Sequence, residues 1–237
     1  ASPLILIWLG RIANLVAWIA LIYLALKFLP FAKWGLVILA LNPVTLTLAS
    51  SLSSDAMNIA LAFLFVSLVF SLISSKNNQD TSKVGATRNS KLTLAVTAVA
   101  LSLTKVTNIA LLPLLFLINK DTFENKRKAW LFRIGVFGMA LMLGLAWNAS
   151  MSEVNKLGAN LQRPGVVQSE AQLKGIIENP LHYGTTVLMN YVFVERGSSA
   201  DAVIDTYFGI FGWLDTAIPT WVQLLYVSGL LIAVLYQ

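Results

Sequence analysis

Residues 92–118 read LTLAVTAVALSLTKVTNIALLPLLFLI and contain a single charge, Lys105. As one uninterrupted helix this stretch would rise roughly 40 Å, compared with about 30 Å for the hydrocarbon core of a bilayer. Lys105 would then lie near the bilayer centre, where a lysine costs roughly 2.5–3.5 kcal/mol on insertion scales. A continuous membrane-spanning helix is therefore an unfavourable solution for this sequence.

Basic residues flank this stretch on both sides. They are Lys76, Lys83, Arg88 and Lys91 before it, and Lys120, Lys126, Arg127, Lys128 and Arg133 after it. Because cytoplasmic loops of membrane proteins are enriched in Lys and Arg, both ends are predicted to be cytoplasmic. The chain must then turn back, and we predict two short helices, 92–103 and 106–118, with Thr104 and Lys105 at an outer turn. Arms this short do not span a bilayer, so the turn would lie within protein or in a water-filled cavity with the lysine at its floor.

The composition is that of an integral membrane protein, with 57% hydrophobic and 12% charged residues over 237 positions. The net charge is +6, and the basic residues lie in short loops between apolar runs. This distribution indicates membrane topology rather than nucleic-acid binding. The absence of cysteine excludes disulfides and thiolate chemistry, and the lone His182 excludes a multi-histidine zinc site. The cofactor is left undefined: a divalent metal stays open, although no ligand motif in the sequence supports one.

The predicted fold is all-α, a polytopic transmembrane bundle forming one membrane domain over 1–237. Because the chain starts with Ala1 before an apolar run and stops inside another at Gln237, we expect it to be a fragment of a longer protein. The predicted spans are 4–29, 34–49 (broken at Asn42-Pro43), 56–73, the hairpin 92–118, 130–147 and 221–237.

The hydrophilic segment 148–220 has more acidic than basic residues, the reverse of the cytoplasmic loops, and is predicted to lie outside. Within it, Ser169 is expected to begin a short helix that ends before Pro180, and residues 180–194 are expected to lie in the membrane interface or to pack on the bundle. In the 130–147 span, Gly135, Gly138 and Gly144 are predicted to permit close helix packing.

Polar residues predicted at the outer side are the candidates for chemistry. Asp55 is either a helix N-cap or a carboxylate for acid–base catalysis, metal binding or hydrogen bonding to a sugar hydroxyl. Lys105 is expected to bind a phosphate or to pair with a carboxylate. Arg11 is expected to pair with an acidic residue on an adjacent helix or to bind phosphate. Trp213 and Asp215 belong either to a site or to an interfacial aromatic belt with a capped turn.

The motifs of several common reaction classes are missing from the sequence. The sequence has no Gly-rich phosphate loop, no serine nucleophile elbow and no HExxH motif. Nucleotide chemistry of the P-loop type and metalloprotease chemistry are therefore unsupported.

Four motifs together resemble a known family. They are GRIAN at 10–14, LNP at 41–43, SSLSSDA at 50–56 and FGWLDTAIP at 211–219, with Lys105 between them. This combination, which covers nearly the whole chain, resembles the bacterial membrane proteins called domain of unknown function 2142. The resemblance implies a relation to GT-C membrane glycosyltransferases, which transfer a sugar from a polyprenyl-phosphate donor to a glycan or lipid acceptor at the outer face of the bacterial inner membrane.

The chain departs from the GT-C pattern in one respect, because that pattern has a catalytic Asp or Glu in an outer loop after the first membrane helix, and such a loop is not found here. Asp55 and Asp215 are therefore substitute candidates for the catalytic carboxylate, and Lys105, Arg11 and Trp213 are candidates for substrate binding. Two other functions stay open: a transporter or flippase for lipid-linked glycans, and an assembly subunit without catalysis. The sequence does not determine the donor sugar, the acceptor or the oligomeric state.

Overall fold

The computed structural model describes residues 2–74, 84–123, 125–154, 169–192, 210–211 and 216–235. Its α-helices are α1 (Pro3–Phe28), α2 (Lys33–Ala40), α3 (Pro43–Ala49), α4 (Asp55–Ser74), α5 (Val84–Thr104), α6 (Lys126–Ser150), α7 (Ser169–Glu178), α8 (Pro180–Val192) and α9 (Thr220–Leu235). Two 3₁₀ helices, Val106–Leu117 and Lys120–Thr122, lie between α5 and α6. Two-residue strands, β1 (Ile210–Phe211) and β2 (Thr216–Ala217), pair antiparallel. The fold of the described chain is thus helical, as predicted.

Three helices of the described residues are long and apolar enough to cross a membrane: α1, α4 and α6. With 20 residues, α4 rises about 30 Å, which matches the hydrocarbon thickness. The helices α2 and α3 have 8 and 7 residues and are each too short to cross alone.

The chain divides into two compact units. The first contains Ala1–Ala149 and Leu224–Gln237, and the second contains Ser150–Gln223. In the second, α7 packs against α8, and α7 begins at Ser169 and ends before Pro180, as predicted.

The core of the first unit is built around α4, which packs against α1, α3, α5 and the long 3₁₀ helix. Its buried side chains include Ala25 of α1, Leu36 of α2, Phe65, Leu68 and Leu72 of α4, Leu94 and Leu101 of α5, Leu112 and Leu115 of the 3₁₀ helix, and Val136 and Ala140 of α6. Apolar side chains on the outer sides of α1 and α6 are exposed, as lipid-facing surfaces are.

The predicted break at Asn42-Pro43 is confirmed, since α2 ends at Ala40 and α3 begins at Pro43. The Asn42 side chain accepts a hydrogen bond from the Val44 N–H at 2.9 Å, which caps α3. Pro43 occupies the first helical position, where its missing N–H has no cost. The Thr45 hydroxyl donates to the Ala40 carbonyl at 2.8 Å, so an orphan carbonyl of α2 is also satisfied.

The reversal at Lys105 is confirmed by contacts at both ends of the two arms. At the turn, Asn108 donates to the Leu101 carbonyl at 3.0 Å. At the far ends, the Lys91 amine donates to the Thr122 carbonyl at 2.6 Å, although the two residues are 31 positions apart. The chain therefore enters and leaves this hairpin at the same end.

The predicted dimensions of the arms are wrong. The first arm does not begin near residue 92 but continues the helix back to Val84, so α5 has 21 residues and rises about 32 Å. The second arm is a 3₁₀ helix of 12 residues, which rises about 24 Å because each residue advances about 2.0 Å. Neither arm is a short half-helix of α type, and the turn lies at the end of the helices rather than at mid-depth.

The end of α5 has a local cause. Lys105 is extended, with φ −148° and ψ 135°, so the residues after it leave the helical path. In the last turn of α5 the Leu101 carbonyl accepts from the Asn108 amide at 3.0 Å and lies 2.7 Å from the Thr104 hydroxyl. Side-chain donors thus bind a carbonyl at the helix end, which allows the helix to end inside an apolar run.

Charges separate between the two ends of the first unit. One end contains Asp55, Lys105 and Arg11. The opposite end, called the basic end below, contains the described residues Lys27, Lys33, Lys91, Lys120, Lys126, Arg127 and Lys128. Three contacts show that these segments meet at one end: Lys91 donates to the Thr122 carbonyl, the Thr122 hydroxyl donates to the Leu72 carbonyl, and the Phe31 and Phe70 rings touch. The geometry therefore agrees with the predicted grouping of these side chains.

The glycine prediction for α6 is correct at one position. A Cβ at Gly144 would lie 3.0 Å from both the Cβ and the carbonyl oxygen of Ser102 in α5, so this glycine permits close packing. At Gly135 and Gly138 nothing lies within 4 Å of the Cβ position, so the prediction is wrong there.

Replacement of Gly144 by Val is expected to destabilise the protein by about 1–3 kcal/mol, because the new methyl groups would collide with the α5 backbone. The loss is measured as a fall in the midpoint of thermal unfolding in detergent. Gly138→Val is the matched control, because it adds the same side chain to the same helix where there is space. Equal midpoints for the two variants would contradict the close α5–α6 contact.

Cysteine labelling is expected to separate the two ends of the unit. The chain has no cysteine, so single variants give no background. We expect Lys105→Cys to react with a membrane-impermeant maleimide added to intact cells, and Lys120→Cys to react only after permeabilisation. Both native side chains are exposed, which makes the pair comparable. Reaction of both variants from the same side would contradict the hairpin.

Candidate functional site

The turn between α3 and α4 is held by serine side chains. The Ser51 hydroxyl donates to the Leu48 carbonyl at 2.8 Å and accepts from the Ser53 N–H at 3.1 Å. The Ser53 hydroxyl in turn accepts from the Asp55 N–H at 3.1 Å. Such local bonds favour turns over continued helix, which is why α4 begins at Asp55.

Two side chains of α1 hold this turn from the opposite side. The Arg11 Nε donates to the Ser50 carbonyl at 2.6 Å, and the Asn14 amide donates to the Ser51 carbonyl at 2.9 Å and the Ser53 carbonyl at 3.2 Å. A Cβ on Gly10 would lie 2.6 Å from the Leu52 side chain, so the glycine allows the turn to approach α1 closely. The GRIAN and SSLSSDA motifs are therefore packed against each other.

An ion pair joins the start of α4 to the hairpin turn. The Lys105 Nζ lies 2.6 Å from the Asp55 Oδ1, and the side chains are 49% and 40% exposed, respectively. The prediction that Lys105 pairs with a carboxylate is thus confirmed. The pair lies at an exposed end of the helices.

The N-cap interpretation of Asp55 is not supported. Asp55 is the first residue of α4, and its described side-chain partner is Lys105 rather than a backbone N–H of the first turn. Its negative charge still lies at the positive end of the helix dipole, which is a favourable position for an acidic residue.

A cluster of polar side chains lies beside the ion pair. The Asn58 Oδ1 accepts hydrogen bonds from the Thr104 hydroxyl at 3.0 Å and from the Asn108 amide. Asn108 also lies 3.1 Å from the Thr104 hydroxyl. The cluster connects α4, α5 and the 3₁₀ helix at the same point as the ion pair. Together these five side chains form the candidate site: Asp55, Asn58, Thr104, Lys105 and Asn108.

Sequence analysis missed Asn58 and Asn108, although a signal was present. Each is a lone amide in an otherwise apolar run, three positions after a predicted site residue. On a helix this spacing places Asn58 beside Asp55. A rule that searches one turn beyond each candidate charge would have found both.

Arg11 does not have the acidic partner predicted for it among the described residues. Its partners are the Ser50 carbonyl and the Trp8 ring, 5.2 Å from the guanidinium carbon to the ring centroid. The reason is that the neighbouring element at this level is a turn whose backbone carbonyls accept hydrogen bonds from a guanidinium. Its terminal nitrogens have no hydrogen-bond partner in the described part of the chain.

The remaining predicted site residues, Trp213 and Asp215, lie outside the described residues. Within those residues no group of three His, Cys, Asp or Glu side chains is close enough to hold a metal ion. Elsewhere, a groove of about 500 Å³ lies between α7 and α8 and is lined by Gly175, Ile176, Asn179, His182, Tyr183 and Thr186.

The sequence of the chain matches one known family of membrane proteins. A family model described as predicted membrane protein (DUF2142) matches residues 1–237, the whole chain. The chain belongs to this family. The resemblance predicted from the motifs is therefore confirmed at the level of DUF2142. Searches of curated proteins and of solved structures found no match.

In this DUF2142 protein, Asn58 is expected to stabilise the turn through its acceptor oxygen. Asn58→Leu would remove the α4 acceptor that Thr104 and Asn108 share, although both donors retain the Leu101 carbonyl, and this loss costs about 1 kcal/mol. We expect a lower unfolding midpoint and faster hydrogen exchange over residues 101–108. Asn58→Asp retains an acceptor oxygen and is the control. Unchanged exchange in the leucine variant would show that the cluster does not support the turn.

Proposed function

We propose that this chain is a GT-C-like membrane glycosyltransferase that transfers a sugar from a polyprenyl-phosphate donor to a glycan or lipid acceptor at the outer face of the bacterial inner membrane. The observation that carries the proposal is the Asp55–Lys105 pair, which places a cation and a carboxylate 2.6 Å apart at an exposed end of the helices. Sugar transfer from a lipid phosphate uses a cation at the leaving phosphate and a carboxylate at the acceptor hydroxyl.

In the proposed reaction an acceptor hydroxyl attacks the anomeric carbon of the donor sugar. The bond between that carbon and the phosphate oxygen breaks, and the phosphate leaves with the electron pair. Lys105 neutralises the charge that develops on the phosphate, and Asp55 takes the proton of the attacking hydroxyl. The reaction therefore needs no oxidant or reductant.

The ion pair would couple donor binding to activation of the base. In this structure the Lys105 amine is bound by Asp55. A donor phosphate carries more charge than a carboxylate and would compete for the same amine. The carboxylate that it displaces is then free to accept a proton from the acceptor hydroxyl.

Two neighbouring side chains supply further hydrogen-bond donors. The Asn58 amide uses its oxygen within the cluster, and its NH₂ group has no partner among the described residues. The terminal guanidinium nitrogens of Arg11 likewise have no hydrogen-bond partner among the described residues. An amide NH₂ suits a sugar hydroxyl, whereas a guanidinium suits a phosphate.

A second candidate function is that of an assembly subunit without catalysis. It is favoured by the mutual satisfaction of the polar groups, since Lys105 binds Asp55 and Asn58 accepts from Thr104 and Asn108. In that case the cluster would only hold the hairpin against α4. The two functions differ in the effect that neutral variants have on sugar transfer.

Sugar transfer by the full-length protein in nanodiscs, with polyprenyl-phosphate sugars as donors, tests the proposal. Lys105→Ala is expected to raise the KM for the donor about 10- to 100-fold, corresponding to the loss of a charge-assisted hydrogen bond. Asp55→Asn is expected to lower kcat about 10²- to 10⁴-fold, as for loss of a general base. An exposed ion pair contributes only about 0–1 kcal/mol to stability, so both variants should fold.

The Lys174–Glu178 pair provides the matched control. It is also exposed, with Nζ and Oε1 3.7 Å apart, and it lies outside the candidate site. Lys174→Ala and Glu178→Gln should retain wild-type transfer. Wild-type rates in the Asp55 and Lys105 variants would overturn the catalytic assignment. A wild-type protein that transfers no sugar with any donor tested would favour the assembly function.

A further inference from the structure

The basic end of the first unit has an excess of exposed cationic side chains. Lys27, Lys33, Lys120, Lys126 and Arg127 are all exposed and have no ionic partner among the described residues. The loop before α6 also contains Asp121 and Glu124, but the basic residues of this end outnumber them. A concentrated positive charge of this kind attracts an anionic partner.

The start of α6 increases this excess. Its first turn contains Lys126, Arg127 and Lys128 and no acidic residue. The N-terminus of a helix already has a partial positive charge, so cations there are destabilising unless an anion compensates them. An anion at this position would bind both the side chains and the helix dipole.

A buried arginine follows this turn in α6. Arg133 is only 3% exposed, donates to the Ile118 carbonyl, and has an Nε without a hydrogen-bond partner in the described part of the chain. It follows Lys126 by two helical turns, so both lie on the same side of α6. Side chains of a helix lean towards its N-terminus, which directs the Arg133 guanidinium towards the basic turn.

Aromatic side chains mark the depth of this region. The Trp130 ring is 47% exposed and lies 6.0 Å from the Phe116 ring and 5.8 Å from the Arg133 guanidinium carbon. Exposed Trp at the end of a membrane helix is typical of the headgroup level. The cations of the first turn therefore lie where lipid phosphates are.

We propose that the basic end binds the headgroups of anionic phospholipids, with Lys126 and Arg127 as the main contacts and Lys120 beside them. The partner follows from three observations: unpaired exposed cations, a helix N-terminus without acidic residues, and an interfacial Trp next to a buried arginine. This proposal does not depend on the proposed sugar chemistry, because it concerns the opposite end of the unit.

The test is a titration of the purified full chain in detergent micelles, in which native mass spectrometry counts bound lipid. Phosphatidylglycerol is expected to bind at concentrations at which phosphatidylcholine does not. In Lys126→Gln/Arg127→Gln the affinity for phosphatidylglycerol should fall about 20- to 30-fold, because each basic side chain near a membrane surface contributes about fivefold. The single variant Lys120→Gln should lose about fivefold.

The charge-retaining variant Lys126→Arg/Arg127→Lys is the matched control and should bind as the wild type does. Inorganic phosphate is a second arm, which distinguishes a free anion from a lipid headgroup. Equal retention of the two lipids, an unchanged affinity in the Gln double variant, or complete displacement of the lipid by millimolar phosphate would each overturn the proposal. If the double variant fails to fold, Lys120→Gln and Lys126→Gln alone decide the result by the same criteria.

Discussion

The architecture of the first unit depends on the hydrogen bonds that close the end of α5. The Leu101 carbonyl, in the last turn of this helix, accepts from the Asn108 amide and lies 2.7 Å from the Thr104 hydroxyl. Such bonds satisfy backbone polar groups where a helix ends, which an apolar environment requires. The following 3₁₀ helix returns along α4 and α5, and the loop after it is joined to α5 through Lys91.

The reversal separates the charges of the unit. Because α5 and the 3₁₀ helix run in opposite directions, the basic flanks of the hairpin meet at one end and Lys105 lies at the other. There it contacts Asp55, which is presented by an independent device, the serine turn held by Arg11 and Asn14. Two structural elements distant in sequence therefore position the two ionised groups of the candidate site.

The contribution of the Asp55–Lys105 pair to folding stability is too small to explain why it is present. A half-exposed ion pair contributes about 0–1 kcal/mol, which does not account for a lysine within an apolar stretch of sequence. The neighbouring amide cluster, with hydrogen bonds to three elements, contributes more to holding the turn. Sugar transfer at the Asp55–Lys105 pair and phospholipid binding at the basic end are separate proposals. The first concerns one end of the bundle, and the second concerns the opposite end.

Several features followed from the amino-acid sequence alone. The helical class, the break at Asn42-Pro43, the reversal at Lys105 and the grouping of Arg11, Asp55 and Lys105 at one end were predictable, because hydropathy, proline chemistry and the distribution of basic residues act locally or through the membrane. The length of the arms was not predictable. The polar residues that precede 92 continue α5, and the second arm is 3₁₀, so the helix boundaries depend on packing against α4 rather than on local propensity.

The partners of individual side chains were decided only by the tertiary structure. Arg11 binds a carbonyl and an indole rather than an acid, and only one of three glycines in α6 meets a neighbouring helix. Asn58 joins the site because α4 happens to present it to the hairpin turn. Hydrophobic periodicity and charge determine which end of a helix a residue occupies, but contacts of a few ångströms depend on how three helices pack together, and a single sequence does not specify that packing in advance.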